Sequence, residues 1–185
     1  PTARRLAVCL ANGKMSWIHG NDALRPPSER STSLISKSVN VALPGQIKPT
    51  QFAKANEKSS AINVASITRD LLIRLGSPGL VVCPRKLDTR LLARTLMEGL
   101  AHLDDDEVHL AADSVLKRYP YLDFLAECLR CGVAYHNASL PFDIRRDIER
   151  LTRARKLSVV CATTTLAEGA DLPFRWTIVA HWLSS

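Results

Sequence analysis

The clearest pattern along the chain is a series of short apolar runs, each bounded by turn residues. These runs lie at residues 79–83, 132–136, 157–162 and 176–180. Short, all-apolar runs predict strands that are covered on both faces, as in a parallel sheet flanked by helices.

Helical spacing of apolar residues occupies much of the intervening sequence. It predicts helices over residues 61–75, 88–100 and 142–155, and another around Leu122–Leu129, with the acidic stretch Asp104–Glu107 as a polar break. Strand and helix therefore alternate at least three times. That alternation predicts an α/β fold, a three-layer domain with a parallel sheet and helices on both faces.

The first 60 residues differ from the rest in composition and in hydrophobic pattern. Residues 5–11 form a short apolar segment that is compatible with a helix, and residues 33–43 alternate well enough for one strand. Residues 21–60 are rich in Ser, Pro, Lys and Asn, which predicts a connecting region rather than a packed core.

Composition narrows the class of protein. The 185 residues are 46% apolar, enough for a globular core, and they carry 25 Lys and Arg against 18 Asp and Glu, a net charge of +7. A basic balance suits a polyanionic partner but also serves solubility. No apolar run approaches the roughly 18 residues that span a bilayer, and the amino terminus lacks a secretory signal, so we expect no membrane association and a cytoplasmic protein.

The five cysteines are an odd number, and most lie in apolar segments. We therefore expect reduced thiols that pack as small hydrophobic residues. Cys128 and Cys131 have the spacing of half a zinc site, but no second pair of Cys or His stands at ligand spacing. The sequence thus predicts no metal site.

Residues that could bind a ligand lie at or just after the ends of the predicted strands, where ligands bind in such sheets. Arg85 and Lys86 follow the first run, a placement that fits phosphate contact and equally fits a solvated helix start. His136 is the last residue of the second run and Asn137 follows it directly, before a helix that carries Arg145 and Arg146. Such a loop could hold an anionic backbone, although a lone His at a strand end is more often structural.

The segment Ala162–Pro173 is the most specific of these loops. It offers the hydroxyls of Thr163–Thr165, a glycine at Gly169 that permits close backbone approach, and the carboxylate of Asp171, which can accept from a sugar hydroxyl. Its composition alone also fits a capped helix start.

Taken together, these loops resemble the second RecA-like domain of superfamily 2 helicases, and the superkiller-like branch most closely. Gly132–Leu140 and Ala162–Pro173 match two long motifs of that branch, and Cys83–Lys86 resembles the weaker motif IV. The resemblance runs from Gly79 to the end of the chain. It implies a RecA-like, P-loop NTPase-type domain with an irregular amino-terminal extension.

The resemblance also implies roles for individual residues, although the sequence departs from the branch at Asn137, Ser139 and Asp171. The implied nucleic-acid contacts are Arg85, Lys86, His136, Asn137, Thr163 and Thr164, and the implied ATP contacts are Gly169, Asp171 and Arg146. The implied partner is single-stranded or partly duplex DNA or RNA.

A motor also needs a phosphate loop, which this sequence lacks. The resemblance then implies a fragment: residues 1–20 as the tail of a first RecA-like domain, 21–60 as a linker, and 61–185 as a second domain truncated before motif VI. ATP and Mg²⁺ would be held mainly by the first domain of the same parent chain. We expect no catalytic residue and no ATP hydrolysis in this fragment alone.

One tempting motif is rejected. Asp106–His109 spells the Asp-Glu-x-His of a helicase metal-binding motif, but it follows acidic residues rather than a buried strand.

Two other functions stay open at this stage. One is a catalytically inactive RecA-like domain that serves as a protein- or nucleic-acid-binding regulatory module. The other is a small-molecule enzyme on a doubly wound sheet, for which the loop after the first strand offers no nucleotide fingerprint.

Overall fold

The computed structural model describes residues 6–9, 14–18, 35–40, 57–164, 166 and 171–180. The chain divides into two compact units, Pro1–Ala55 and Asn56–Ser185.

The first unit contains a three-stranded antiparallel sheet in the order β1-β2-β3. Its strands are β1 (Leu6–Cys9), β2 (Lys14–Ile18) and β3 (Ile35–Asn40). The strand predicted within residues 33–43 is confirmed. The helix considered for residues 5–11 is wrong, because Leu6–Cys9 instead pairs along its whole length with β2 and satisfies its backbone there.

The second unit contains the elements that the apolar pattern predicts, and one that it does not. They are α1 (Glu57–Leu75), β4 (Gly79–Val82), α2 (Lys86–Met97), α3 (Asp106–Arg118), a 3₁₀ turn (Pro120–Leu122), α4 (Asp123–Arg130), β5 (Val133–His136), α5 (Phe142–Arg153), β6 (Val159–Ala162) and β7 (Trp176–Val179).

The four strands form one sheet in the order β5-β6-β4-β7, and every pair in it is parallel. This arrangement confirms the α/β, RecA-like layout. The chain moves in one direction across the sheet from β4 to β5 and in the opposite direction from β5 to β6. Right-handed crossovers therefore put α2 and α4 on one face and α5 on the other.

Burial follows the predicted pattern. All four residues of β4, β5 and β6 are buried, because helices cover both faces of these strands. The strand β7, at the edge of the sheet, alternates instead and exposes Thr177 and Val179.

Helix α3 is the element that the sequence pattern missed. The acidic stretch that looked like a polar break holds its cap, since the Asp105 side chain accepts hydrogen bonds from the backbone N–H groups of Glu107 and Val108. Its buried face is made of small residues, Val108, Ala111, Ala112 and Val115, which give a weak apolar signal.

Cys83, Cys128, Cys131 and Cys161 are free and buried, as expected of reduced core residues. Burial raises the pKa of both Cys83 and Cys128 to about 12, so these thiols stay protonated at neutral pH. Across the described segments, no helix has the length and hydropathy that a membrane crossing requires.

Candidate nucleic-acid interface

The carboxyl ends of the four parallel strands lie at one edge of the sheet, which we call the carboxyl edge. Val82, His136, Ala162 and Val179, the last residues of the strands, are register partners. The backbone N–H of Cys83 donates to Ala162 O at 2.7 Å, and that of Thr163 donates to His136 O at 3.2 Å. The three loops singled out by sequence therefore begin side by side.

The loop Cys83–Lys86 is held by a buried carboxylate. Asp88 is 1% exposed; its Oδ2 accepts from the Arg85 backbone N–H at 3.2 Å and from Arg85 Nε at 3.0 Å, and its Oδ1 accepts from Arg85 Nη2 at 2.9 Å. This two-pronged pair fixes the direction of the Arg85 guanidinium while half of that side chain stays in solvent. The Lys86 side chain is exposed beside it.

Asn137 joins the second loop to the first. Its side chain is buried; Nδ2 donates to Thr89 Oγ1 at 3.0 Å, and Oδ1 accepts from the Ser139 backbone N–H at 3.0 Å. Thr89 Oγ1 in turn donates to Lys86 O at 2.7 Å. The Asn137 amide is thus committed to shaping the backbone of both loops.

His136 is buried at the end of β5, facing α5. Its Nε2 lies 3.4 Å from Glu149 Oε1, close enough for an ion pair but without hydrogen-bond geometry at either ring nitrogen. Burial lowers the pKa of His136, and the nearby Glu149 carboxylate opposes that effect. The Nε atom of Arg145 is also buried without a hydrogen-bond partner in the described part of the chain.

Helix α5 begins at this edge with Phe142, a residue that the sequence analysis passed over. Its side chain is 67% exposed, and the guanidinium carbons of Arg145 and Arg146 lie 5.7 and 5.9 Å from the ring centroid. An exposed aromatic ring flanked by cations can stack on a nucleobase. The available signal was an aromatic residue directly after Pro141, at the first position of the predicted helix.

Arg146, which the family resemblance implied for ATP, is exposed on α5. It lines a shallow depression of about 380 Å³ along that helix. The other residues that line it are Asp143, Asp147, Glu149, Arg150 and Arg153. Because acidic and basic side chains alternate there, the depression has no strong preference for an anion.

The third loop begins with two threonines beside the His136 backbone. Thr163 is partly buried, and its carbonyl accepts from the Leu166 N–H at 3.2 Å, whereas Thr164 is exposed. Asp171 is exposed as well. Gly169 lies outside the described residues.

The Asp106–His109 motif lies elsewhere, on the first turn of α3. Glu107 forms an ion pair with Arg150, and His109 Nε2 is hydrogen-bonded to Leu103 O at 2.7 Å. The motif follows a loop and not a buried strand, so its rejection as a helicase metal-binding motif is confirmed.

This edge can therefore hold an anionic, extended ligand. It offers exposed cations, hydroxyl groups and one exposed ring, on loops and on the first turns of helices, and buried polar side chains hold the loops at Arg85 and Asn137 in shape. Contacts of this kind, from Arg, Lys and Thr side chains, are those that proteins make to a nucleic-acid backbone.

No protein-family model matches the chain, but individual relatives do. It is 34% identical over 125 residues to the ATP-dependent DNA helicase Hel308 of Thermoplasma acidophilum, which is 66% of this chain and 17% of the relative. It is 33% identical over 107 residues to a Helicase POLQ-like protein of Caenorhabditis elegans, 54% of this chain and 12% of the relative. It is 27% identical over 111 residues to the ATP-dependent DNA helicase MER3 of Saccharomyces cerevisiae, 58% of this chain and 9% of the relative.

The chain thus spans 17% or less of the length of these three relatives. All three are helicases of one branch, and their similarity to this chain agrees with its parallel sheet and its loop motifs. Over the matched region, the chain is similar to ATP-dependent helicases of the superkiller-like branch of superfamily 2.

Proposed function

We propose that this chain is part of an ATP-dependent DNA helicase or translocase, in which it supplies the motif IV to motif V side of the strand-binding track. The observation that carries the proposal is the convergence of three loops, two of them with exposed cations or hydroxyls, at one edge of a parallel sheet. DNA is preferred over RNA because two of the similar proteins are named as DNA helicases.

The exposed side chains make the direct contacts in this proposal. Lys86 and the solvent-facing half of Arg85 neutralise phosphates, and the Thr163 and Thr164 hydroxyls hydrogen-bond to phosphate oxygens. Phe142 adds a surface on which a base can stack.

His136 and Asn137 act indirectly in this proposal, since both residues are at most 4% exposed. Asn137 fixes the backbone of its own loop and, through Thr89, that of the Lys86 loop. The His136 side chain lies between the β5 backbone and Glu149 of α5. Both are therefore positioning residues for the strand track rather than strand contacts.

The ATP side of the proposal depends on a partner domain. Gly169, Asp171 and Arg146 would face a nucleotide whose phosphates and Mg²⁺ are gripped mainly by a first RecA-like domain of the same parent chain. Closure of the two domains over ATP would then move the strand past the loops at the carboxyl edge. The cytoplasmic location stays a prediction.

The test measures the affinity of the 185-residue chain for fluorescently labelled single-stranded DNA as a function of salt. Lys86→Gln should weaken binding and reduce the salt slope by roughly one, since one phosphate contact is lost. Arg155→Gln is the matched control, because it removes the same charge from an exposed residue before β6, at the opposite edge of the sheet.

A second pair of variants tests the hydroxyl contacts. Thr164→Val should weaken binding at matched salt, whereas Thr177→Val, which removes an exposed hydroxyl from β7, should not. Equal effects within either pair contradict the proposed track. A parallel titration with RNA decides between the two nucleic acids, and strand-stimulated ATP hydrolysis by the chain alone would contradict the need for a partner domain.

A further inference from the structure

At the opposite edge of the sheet, where the strands begin, three metal-binding side chains meet. His102 Nε2, Glu127 Oε1 and Cys131 Sγ all lie within 4.8 Å of one another. No other group of three or more His, Cys, Asp or Glu side chains in the described segments meets that criterion. Glu127 and Cys131 are one helical turn apart at the end of α4, and His102 comes from the loop between α2 and α3.

The loop that carries His102 is fixed against the end of α4 by its neighbours. The Leu103 backbone N–H donates to Arg130 O at 2.7 Å, and Leu103 O is hydrogen-bonded to His109 Nε2 at 2.7 Å. The Leu103 side chain packs where a Cβ on Gly132 would stand, at 2.8 Å from that position. Contacts of Leu103 therefore help to hold the three donors together, in addition to the direct contact between His102 and Glu127.

The donor set suits one class of ion. A thiolate, an imidazole and a carboxylate together are typical ligands of Zn²⁺, whereas Mg²⁺ and Ca²⁺ prefer oxygen donors alone. Cys131 is 5% exposed, while the side chains of His102 and Glu127 are 49% and 42% exposed, so an ion can enter from solvent.

The donor atoms must rearrange to hold an ion. His102 Nε2 and Glu127 Oε1 are 2.6 Å apart, a hydrogen-bond distance. Ligands of tetrahedral zinc stand about 3.3 Å apart at bond lengths of about 2.0 Å. Binding therefore requires the partly exposed His102 and Glu127 side chains to move apart.

Arg130 modulates the site. Its Nη1 lies 3.3 Å from Glu127 Oε2, the oxygen that does not face His102. This pair orients the carboxylate, as groups behind metal ligands commonly do, although the positive charge lowers the affinity for a cation.

We propose that His102, Glu127 and Cys131 form a zinc site, with a solvent molecule as the fourth ligand. Binding releases the thiol proton of Cys131 as the zinc–sulfur bond forms. The ion then ties the loop before α3 to the end of α4, which stabilises the domain at the edge remote from the candidate strand track.

Cys128 supplies the matched control. It belongs to the same Cys-x-x-Cys sequence, but it is fully buried and its Sγ lies 3.4 Å from Met97 Sδ. Only one cysteine of the pair therefore takes part in the proposed site.

The experiment titrates the reduced, tag-free 185-residue chain with Co²⁺, a spectroscopic substitute for Zn²⁺, and follows the thiolate-to-cobalt charge-transfer band. We expect one equivalent of Co²⁺ to bind, Zn²⁺ to displace it, and the band to be lost in Cys131→Ser but kept in Cys128→Ser. His102→Ala should weaken Co²⁺ binding by at least about tenfold.

Two outcomes overturn the proposal: no charge-transfer band in the native chain, or a band that persists in Cys131→Ser. If Cys131→Ser does not fold, as judged by circular dichroism, His102→Ala decides, because that side chain is half exposed and its loss should not disturb the core. Unchanged Co²⁺ affinity in His102→Ala then overturns the site.

Discussion

The two edges of the parallel sheet hold their loops in different ways. At the carboxyl edge, buried polar side chains do so: Asp88 binds the Arg85 backbone, and Asn137 binds Thr89 and the Ser139 backbone. At the amino edge, close packing around glycines adds to the hydrogen bonds of the Leu103 backbone, with the Trp176 ring over Gly79 and the Leu103 side chain over Gly132.

This difference fits the proposed function, in which only the carboxyl edge presents its loops to a nucleic-acid strand. A loop that offers its backbone and exposed cations to a ligand has to be fixed from behind by hydrogen bonds, because its own surface must stay open. A loop with no such ligand can be fixed by apolar packing, which is less directional. Substitutions at the carboxyl edge should therefore change both stability and strand affinity, and those at the amino edge should change stability alone.

The largest expected effect is at the amino edge, in Gly79→Ala. A Cβ at Gly79 would stand 2.1 Å from Trp176 Cζ2, so either the ring or the strand must move. We expect the free energy of unfolding to fall by about 3 kcal/mol, as in other overpacked cores. Urea unfolding followed by circular dichroism measures it, and strand affinity of the folded variant should equal that of the native chain.

Gly99→Ala serves as the control for this variant. Gly99 has a φ of 81° but no atom within 4 Å of its Cβ position, so the substitution adds backbone strain without a clash. It should cost about 1 kcal/mol. Similar losses in the two variants would mean that the Trp176 contact is not what makes Gly79 necessary.

An intermediate effect is expected at the carboxyl edge, in Asn137→Ala. The change leaves the buried Thr89 hydroxyl without its donor and the Ser139 N–H without its acceptor. We expect a loss of about 2 kcal/mol in the free energy of unfolding, together with several-fold weaker binding of single-stranded DNA. Both are measured on the 185-residue chain, by urea unfolding and fluorescence anisotropy.

The neighbouring Ser139→Ala is its control, since Ser139 is exposed and contributes its backbone N–H to this contact. Its effect on stability should stay within about 0.5 kcal/mol. If Asn137→Ala changes stability but leaves strand affinity intact, the carboxyl edge does not differ from the amino edge in the way proposed.

The smallest expected effect concerns the pH dependence of stability. Because burial lowers the pKa of His136 in the folded state, the unfolded state binds a proton first as the pH falls below about 6.5. Stability should therefore decline from that pH downward, until the folded pKa is reached, by up to about 1.4 kcal/mol per pH unit.

His136→Gln should remove this part of the slope in urea unfolding measured from about pH 7 downward, because the lowered pKa of His136 places the effect below about pH 6.5. Glu149→Gln is the complementary variant: the Glu149 carboxylate raises the pKa of His136 against the effect of burial, so its removal should extend the decline to lower pH. If the pH dependence of the free energy of unfolding is unchanged in His136→Gln, other titratable groups cause it.

Much of the second unit could be predicted from the sequence because its signals are local. Short apolar runs give the four strands, and helical spacing gives α1, α2, α4 and α5. Helix α3 was not predicted because its acidic first turn resembles a loop and its buried face consists of small residues. The capping contacts of Asp105, seen only in the structure, show that a helix begins there.

The candidate sites depended on more distant contacts. The order of the three loops along the chain was enough to indicate an interface, but not which side chains would be buried in it. Asn137 contacts Thr89, which is 48 residues away in the sequence, and in the proposed strand track that contact makes Asn137 a positioning residue.

The sequence by itself determined the fold class, the burial of four cysteines and the resemblance to helicases, because hydropathy and motif spacing are properties of neighbouring residues. Only the tertiary structure decided the strand order β5-β6-β4-β7 and the packing of Trp176 on Gly79. It also brought His102 to Cys131, whereas the sequence offered only a pair of cysteines without partners. The strand order and these long-range contacts depend on how the crossover connections return across the sheet. No local sequence pattern encodes which distant residues then meet.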